Sequence, residues 1–362
     1  MNDTTEPSLR PSNRASTVVA AILVGVLLLI YPLIVPGFWA FQIGAQSLFL
    51  GVISLSLMFL GGYGGMVSLA QMTVAGVAGY LIAIVGGNHL NFGLLWPWWA
   101  AVPVAVAGGT IAATLIGLIS VRTAGIYTIM ITIAIAMAFF YLAQQNYTLF
   151  NGHSGFASVL PPHVFGVDWR APVPFYFLAL AVAMLSYAVV LYLSRTPFGI
   201  ALQAIRDNAR RMRALGFNVT AHRVAAYAVA GFIASLGGVL LVWFNSRISP
   251  GTVDTGPIFD ILIIAVLGGM RHPAGPFVGA VIFVLLENFA IDFIDRERFN
   301  TLIGLCFLAI VLFSPDGVLG LWGRFVGLLR QAGAQNRMLQ RASGDGEGFQ
   351  PAAGGRHISG RR

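Results

Sequence analysis

The stretch RTPFGIALQAIRDNARRMRALGFN, residues 195–218, places five arginines within nineteen residues of an otherwise oily chain. Guanidinium groups at this density grip anionic surfaces, whether lipid headgroups or carboxylates of a partner protein. Phe198, Leu202, Ile205, Ala209 and Met212 recur at spacings of four and three, which makes one apolar helical stripe. Arg206, Arg210 and Arg213 share another face. Pro197 suits a first helical position and Gly216 a C-terminal cap. Two roles fit this amphipathic helix. It lies on a membrane surface, held by anionic lipid, or it is a coupling helix whose stripe enters a partner's groove while arginines fix the register.

Elsewhere the reactive side chains are sparse. All 21 basic residues are arginine, so no P-loop, which requires lysine, is present. Any ATP that energises the protein must be hydrolysed by another subunit. The single cysteine, Cys306, sits in an apolar run and forms neither an internal disulfide nor a cysteine metal site. The six histidines lack metal-ligand spacing, and no metal is expected. Asp260 and Glu287 are the carboxylates that fall inside apolar segments, where charge is expensive and by default functional. Both fall in outer halves of their segments, so a rim carboxylate paired with arginine is the competing and preferred role.

These groups need elements to hold them. Hydrophobic residues make up 57% of the 362 residues and charged residues 9%, against about 25% charged in soluble domains. Such a chain cannot cover a globular surface with polar groups, so the bilayer must serve as its solvent. Because about 20 apolar residues span a bilayer and open strands cannot, the expected fold is an all-α polytopic membrane protein of ten helices. They fall near 18–36, 43–60, 66–86, 97–120, 124–143, 174–193, 224–244, 257–269, 274–294 and 300–320, with the eighth short enough to be tilted or re-entrant. The polar segment 1–17 precedes the membrane domain 18–322, and a basic, disorder-like tail, 323–362, follows it. With the N-terminus in the cytoplasm, seventeen arginines fall inside and Arg170, Arg247, Arg296 and Arg298 outside, in accord with the positive-inside rule. Both termini and the arginine loop, 194–223, are then cytoplasmic. The long outside loop, 144–173, is rich in aromatics, Gly and Pro; it docks an external partner or is a connector lying on the membrane.

SRTPFGIALQAIRDNARRMRALGFNV closely resembles the cytoplasmic loop of permeases from branched-chain amino acid ABC importers, S-P-[FY]-G-R-A-L-x-A-I-R-[ED]-[ND] followed by A-x-x-x-G. Three further segments resemble the same family: GGYGGMVSLAQMTVAGVAGYLIAI at 61–84, ISPGTVDTGPIFDILIIAVLGGMRHPAGPFVGAVIF at 248–283, and SPDGVLGLW at 314–322. The N-terminal span and the outside loop before the sixth helix fit the M-type subunit better than the H-type. The chain departs from the pattern at Gln71 and Met72, where the family shows Gly and His, at Thr73 and Val74, and at Ile200, which replaces Arg. GGMRHPAGP also replaces the commoner G-G-x-G-[ST]-x-x-G-P.

The resemblance implies a permease subunit in the bacterial inner membrane, paired with a second, non-identical permease, two cytoplasmic ATPases that use ATP-Mg, and an external solute-binding protein. It implies no bound cofactor, no nucleic acid and no enzymatic activity of its own. Phe198, Leu202, Ile205 and Met212 would be the apolar knob entering the ATPase, with Arg206, Asp207, Arg210 and Arg213 as polar contacts. Gly61, Gly62, Gly64 and Gly65 break the chain between the second and third spans, either lining a pathway or allowing close helix packing. Ser68, Gln71, Thr73, Thr128 and Thr132 face that pathway or bond to neighbouring helices. The default solute is a branched-chain amino acid, with urea and short amides as alternatives. A secondary transporter coupled through Glu287 or Asp260 is a rival; a membrane-embedded enzyme finds no catalytic constellation here.

Overall fold

The computed structural model describes residues 23, 25–88, 94–123, 125–162, 166 and 168–293, with 304, 305, 308 and 317–320. The described residues up to 319 belong to one compact unit. The segments 1–17 and 323–362, Cys306 and most of the expected tenth helix lie outside the described residues.

Lipid offers no hydrogen bonds to the backbone, so apolar segments close their own as helices. They are α1 (Gly25–Ile34), α2 (Trp39–Tyr63), α3 (Gln71–Val85), α4 (Trp98–Ser120), α5 (Ile126–Gln145) and the single turn α6 (Tyr147–Phe150). The order continues with α7 (Pro172–Arg195), α8 (Pro197–Ala214), α9 (Val219–Asn245), α10 (Thr255–Gly268) and α11 (Gly275–Phe293). Among the described residues six stretches are long and apolar enough to cross a membrane: α2, α4, α5, α7, α9 and Pro250–Gly268, which ends in α10. Helices α1, α3 and α11 are apolar but shorter. The chain is therefore a multi-pass membrane protein; among the described residues nine of the ten expected segments overlap apolar helices, and six of these are long enough to span.

Helices α2 and α9 form the centre, buried along most of their length, while α4, α5 and α7 are peripheral. Ile111, Leu115, Ile119, Ile126, Met130 and Leu185 on these outer helices are exposed, a surface suited to lipid. The first and last turns of α2, Trp39–Ala45 and Phe59–Tyr63, are widened to π geometry, a distortion frequent at functional sites.

Among the described residues the bundle is all-α apart from one short ribbon. Phe156–Ala157 (β1) pairs antiparallel with Arg247–Ile248 (β2). The loop between α5 and α7 folds over the bundle end here, and its backbone groups need partners there. Phe156 is buried, and with Phe150 it packs edge-on to Tyr80 of α3. This part of the 144–173 loop is anchored in the domain.

Candidate functional site

The elbow between α7 and α8 is built by the very residues of the arginine motif. The Thr196 side chain donates to the Leu193 carbonyl at 2.7 Å and caps α8 by accepting from the Gly199 amide, beside Pro197 at the first helical position. Gln203 Nε2 donates to the carbonyls of Ser194 and Gly199, both at 3.1 Å. Helix α8 bends at Asn208, whose backbone is non-helical (φ −156°, ψ 89°) and whose Oδ1 accepts from the Arg211 amide at 2.9 Å. It ends as the glycine predicts. Gly216 has φ +86°, its amide donates to Arg213 O and that of Phe217 to Met212 O, the paired bonds of a Schellman cap.

The apolar stripe of α8 is turned inward. Leu202 is fully buried in the core beside α2 and α9, and Ile205 and Met212 pack with Ala201 and Val219. Phe198 is half-buried, its ring stacked on His222 at 5.9 Å. Leu202, Ile205 and Met212 are thus covered by their own chain and Phe198 in part. They leave Ile200, Leu215 and Phe217 as the large exposed apolar side chains of this region, beside exposed Arg210, Arg211 and Arg213. Sequence periodicity missed Leu215 and Phe217; their one signal was to flank a glycine cap.

Arg206 makes contacts within its own chain. Its Nη1 donates to the carbonyl of Gly62, and its Nη2 pairs with Asp207 at 2.9 Å. Its side chain lies against Gly65, whose φ is +65°; a Cβ there would come within 2.6 Å of Arg206 Cγ. At Gly62 a Cβ would stand 2.2 Å from the carbonyl oxygen of Met270, in the α10–α11 connection, and Gly61 touches the Met270 side chain. A Cβ on Gly64 would meet Leu60 O. Gly61, Gly62 and Gly65 thus permit close contact among α2, α8 and the α10–α11 connection, while Gly64 lies against the backbone of α2 itself.

The polar residues expected near a pathway are all buried. Ser56 Oγ donates to Gln71 Oε1 at 3.0 Å, and the Leu69 amide donates to Thr132 Oγ1 at 3.1 Å. Ser68 Oγ accepts from the Ala70 amide, and the hydroxyls of Thr123 and Thr128 lie 3.3 Å apart. Thr73 Oγ1 has no partner among the described residues. The side chains of Ser68, Gln71, Thr128 and Thr132 bond within the bundle, as buried polar groups must.

The opposite end of the bundle holds a cavity of about 490 Å³ between α2, α9, α10 and α11. Asp260 and Glu287, on different helices, both line it, together with Gln46, Asn245 and Arg247. Gln46 Nε2 donates to Glu287 Oε2 at 3.2 Å. Among the described residues no arginine lies within ion-pair distance of either carboxylate, and both open onto a shared, mixed polar and apolar cavity; Arg296 and Arg298 lie outside the described residues. The sequence named the two acids but gave no sign that they converge.

An apolar helix bundle with one strongly cationic helix at one end and a polar cavity at the other belongs to the class of multi-pass transport permeases. The branched-chain amino acid transport system permease component family matches residues 39–312, and the chain belongs to that branched-chain amino acid ABC permease family. It is 24% identical to the high-affinity branched-chain amino acid transport system permease protein LivM of Salmonella typhimurium, over 81% of this chain and 74% of that protein. LivM of Escherichia coli is 23% identical over the same shares. The ribose import permease protein RbsC of Haemophilus influenzae is 23% identical over 68% of this chain and 78% of its own. No solved structure matches the chain.

Proposed function

We propose that the chain is the membrane-spanning subunit of an ATP-driven importer of branched-chain amino acids, with α8 on the cytoplasmic side as the element that ATPase subunits push. The observation that carries this reading is the double character of α8. Its apolar stripe and Arg206 weld it to the permease core, while Ile200, Leu215, Phe217 and three arginines stay exposed for a partner. A helix held only by lipid needs no such weld to the α2–α3 break. Lysine-free sequence leaves ATP hydrolysis to two partner ATPases. A second permease would complete the pathway, and an external solute-binding protein would deliver the solute to the cavity end. Alternating access then follows from nucleotide and solute each favouring one of two states.

The LivM relatives support a branched-chain amino acid as solute, whereas the RbsC likeness shows that related permeases are named for ribose import. Uptake of labelled leucine, urea, acetamide and ribose by cells with and without the gene tests the assignment. Leucine uptake that depends on the gene and on ATP is expected. Uptake that survives ATP depletion but collapses when the ion gradient is discharged would overturn it in favour of an ion-coupled carrier using Asp260 or Glu287.

A further inference from the structure

The cavity at the end opposite α8 carries groups that neither helix packing nor the α8 contact uses. Asp260 and Glu287 open onto it from neighbouring helices, and Arg247, Ser249 and Thr252 line its edge between α9 and α10. The remaining wall includes Phe49, Leu50, Phe244 and Phe283. A carboxylate inside an apolar domain is costly unless a cation, hydrogen bonds or water compensate it. Gln46 gives Glu287 one such bond. Asp260 has no side-chain hydrogen-bond or ion-pair partner among the described residues. The lining has two carboxylates and one guanidinium group, so it carries partners for both ends of a zwitterion. Its volume, about 490 Å³, lies within the roughly 300–1,000 Å³ of small-molecule pockets.

We propose that this cavity binds the ammonium group of the transported amino acid, with Asp260 and Glu287 accepting its hydrogen bonds. This inference rests on the solute being a branched-chain amino acid. Arg247, with the hydroxyls of Ser249 and Thr252, faces the solute carboxylate, and Phe49, Leu50 and Phe283 cover its aliphatic side chain. Urea, acetamide and ribose are neutral and would bring neither an ammonium group to Asp260 and Glu287 nor a carboxylate to Arg247. The membrane subunit itself then selects for an ammonium group, in addition to whatever selection the external protein makes.

The test uses the assembled permease–ATPase complex, purified without the solute-binding protein and titrated with labelled leucine. Two competitors each keep one end of leucine: 3-methylbutylamine has the ammonium and 4-methylpentanoate the carboxylate. The amine is expected to displace leucine at a concentration at least ten-fold lower than the acid. Asp260→Asn with Glu287→Gln should weaken leucine binding at least ten-fold in complex that elutes as wild type, and Leu50→Trp should do so by filling the space. Should the double variant fail to assemble, amine against acid on the wild type decides alone. The inference is overturned if the acid competes as well as the amine, or if the double variant binds leucine as tightly as wild type. If cells fail to accumulate leucine while the complex still binds the amine through Glu287, the assignment of solute falls and the ammonium site stands.

Discussion

Arg206 donates a hydrogen bond to the backbone carbonyl of Gly62, joining two residues 144 positions apart. The bond ties the arginine helix α8 to the last, π-widened turn of the central helix α2. Because Gly62 in turn lies against the Met270 carbonyl, a displacement of α8 meets both α2 and the α10–α11 connection at once. A packed junction of this kind moves as a unit, since close-packed interiors transmit strain. The far ends of α2, α10 and α11 surround the cavity. One short bond therefore connects the cationic end of the domain to the helices that enclose its polar space.

Replacing Arg206 separates this connection from partner binding. A hydrogen bond to a charged group contributes about 1.5–3 kcal/mol, and solvent screening of this half-exposed side chain puts the effect at the low end. Arg206→Ala is expected to leave the complex assembled but to lower leucine uptake per ATP hydrolysed several-fold. Gly65→Ala should do the same from the other side, because its left-handed backbone and the Arg206 stem both refuse a Cβ. Uptake and hydrolysis measured together in proteoliposomes check this; wild-type coupling in both variants would refute the connection.

The orientation of α8 makes a second, opposite pair of outcomes. Leu202 is fully buried within this chain, so Leu202→Ala should cost about 2–5 kcal/mol and lower the unfolding temperature of the isolated permease. Leu215→Asp and Phe217→Asp, at exposed positions, should leave that temperature unchanged and reduce the amount of ATPase that co-purifies. If Leu202→Ala left the isolated chain fully stable, the inward stripe would be wrong and Leu202 would be free for a partner.

The helices were readable because lipid leaves a long apolar run one way to satisfy its backbone. Gly216 was readable as a cap for an equally local reason. Periodicity found the stripe of Phe198, Leu202, Ile205 and Met212 but not what covers it, since a buried face and a partner-binding face have the same composition. Asn208 breaks α8 through a backbone conformation that its sequence neighbours do not announce. Asp260 and Glu287 stand 27 positions apart, and only the packing of α10 on α11 brings them to one cavity. The ribbon of β1 with β2 joins residues some 90 positions apart by two residues each, too short a pattern for alternation to show.

Gln71 offers a check on the pathway assignment. Its Oε1 accepts from Ser56 in a fully buried site, and Ser56 also donates to Ile53 O. Gln71→Leu therefore leaves the serine with a partner but buries a leucine where an amide sat, at a cost of about 0.5–1.5 kcal/mol for the lost bond. A lower unfolding temperature with an unchanged preference for leucine over isoleucine and valine is expected. A shift in that preference at wild-type stability would put Gln71 on the solute's path.

The ribbon at the cavity end also positions Arg247. Gly155 precedes β1 with φ +62°, and a Cβ there would come within 2.0 Å of the Ile248 carbonyl oxygen. Gly155→Ala must therefore push β1 away from β2, breaking the pairing of Ala157 with Arg247. The Asn151 side chain, which donates to the Gly155 carbonyl at 2.7 Å, would lose its partner as well. Proteinase K should then cut within 151–160 faster than in wild type. Leucine uptake should fall, because Arg247 leaves the edge of the cavity while Asp260 and Glu287 stay in place. Binding of 3-methylbutylamine, which needs no arginine, should fall less than binding of leucine. Equal losses for the two ligands would show that the ribbon shapes the whole cavity instead of placing one guanidinium.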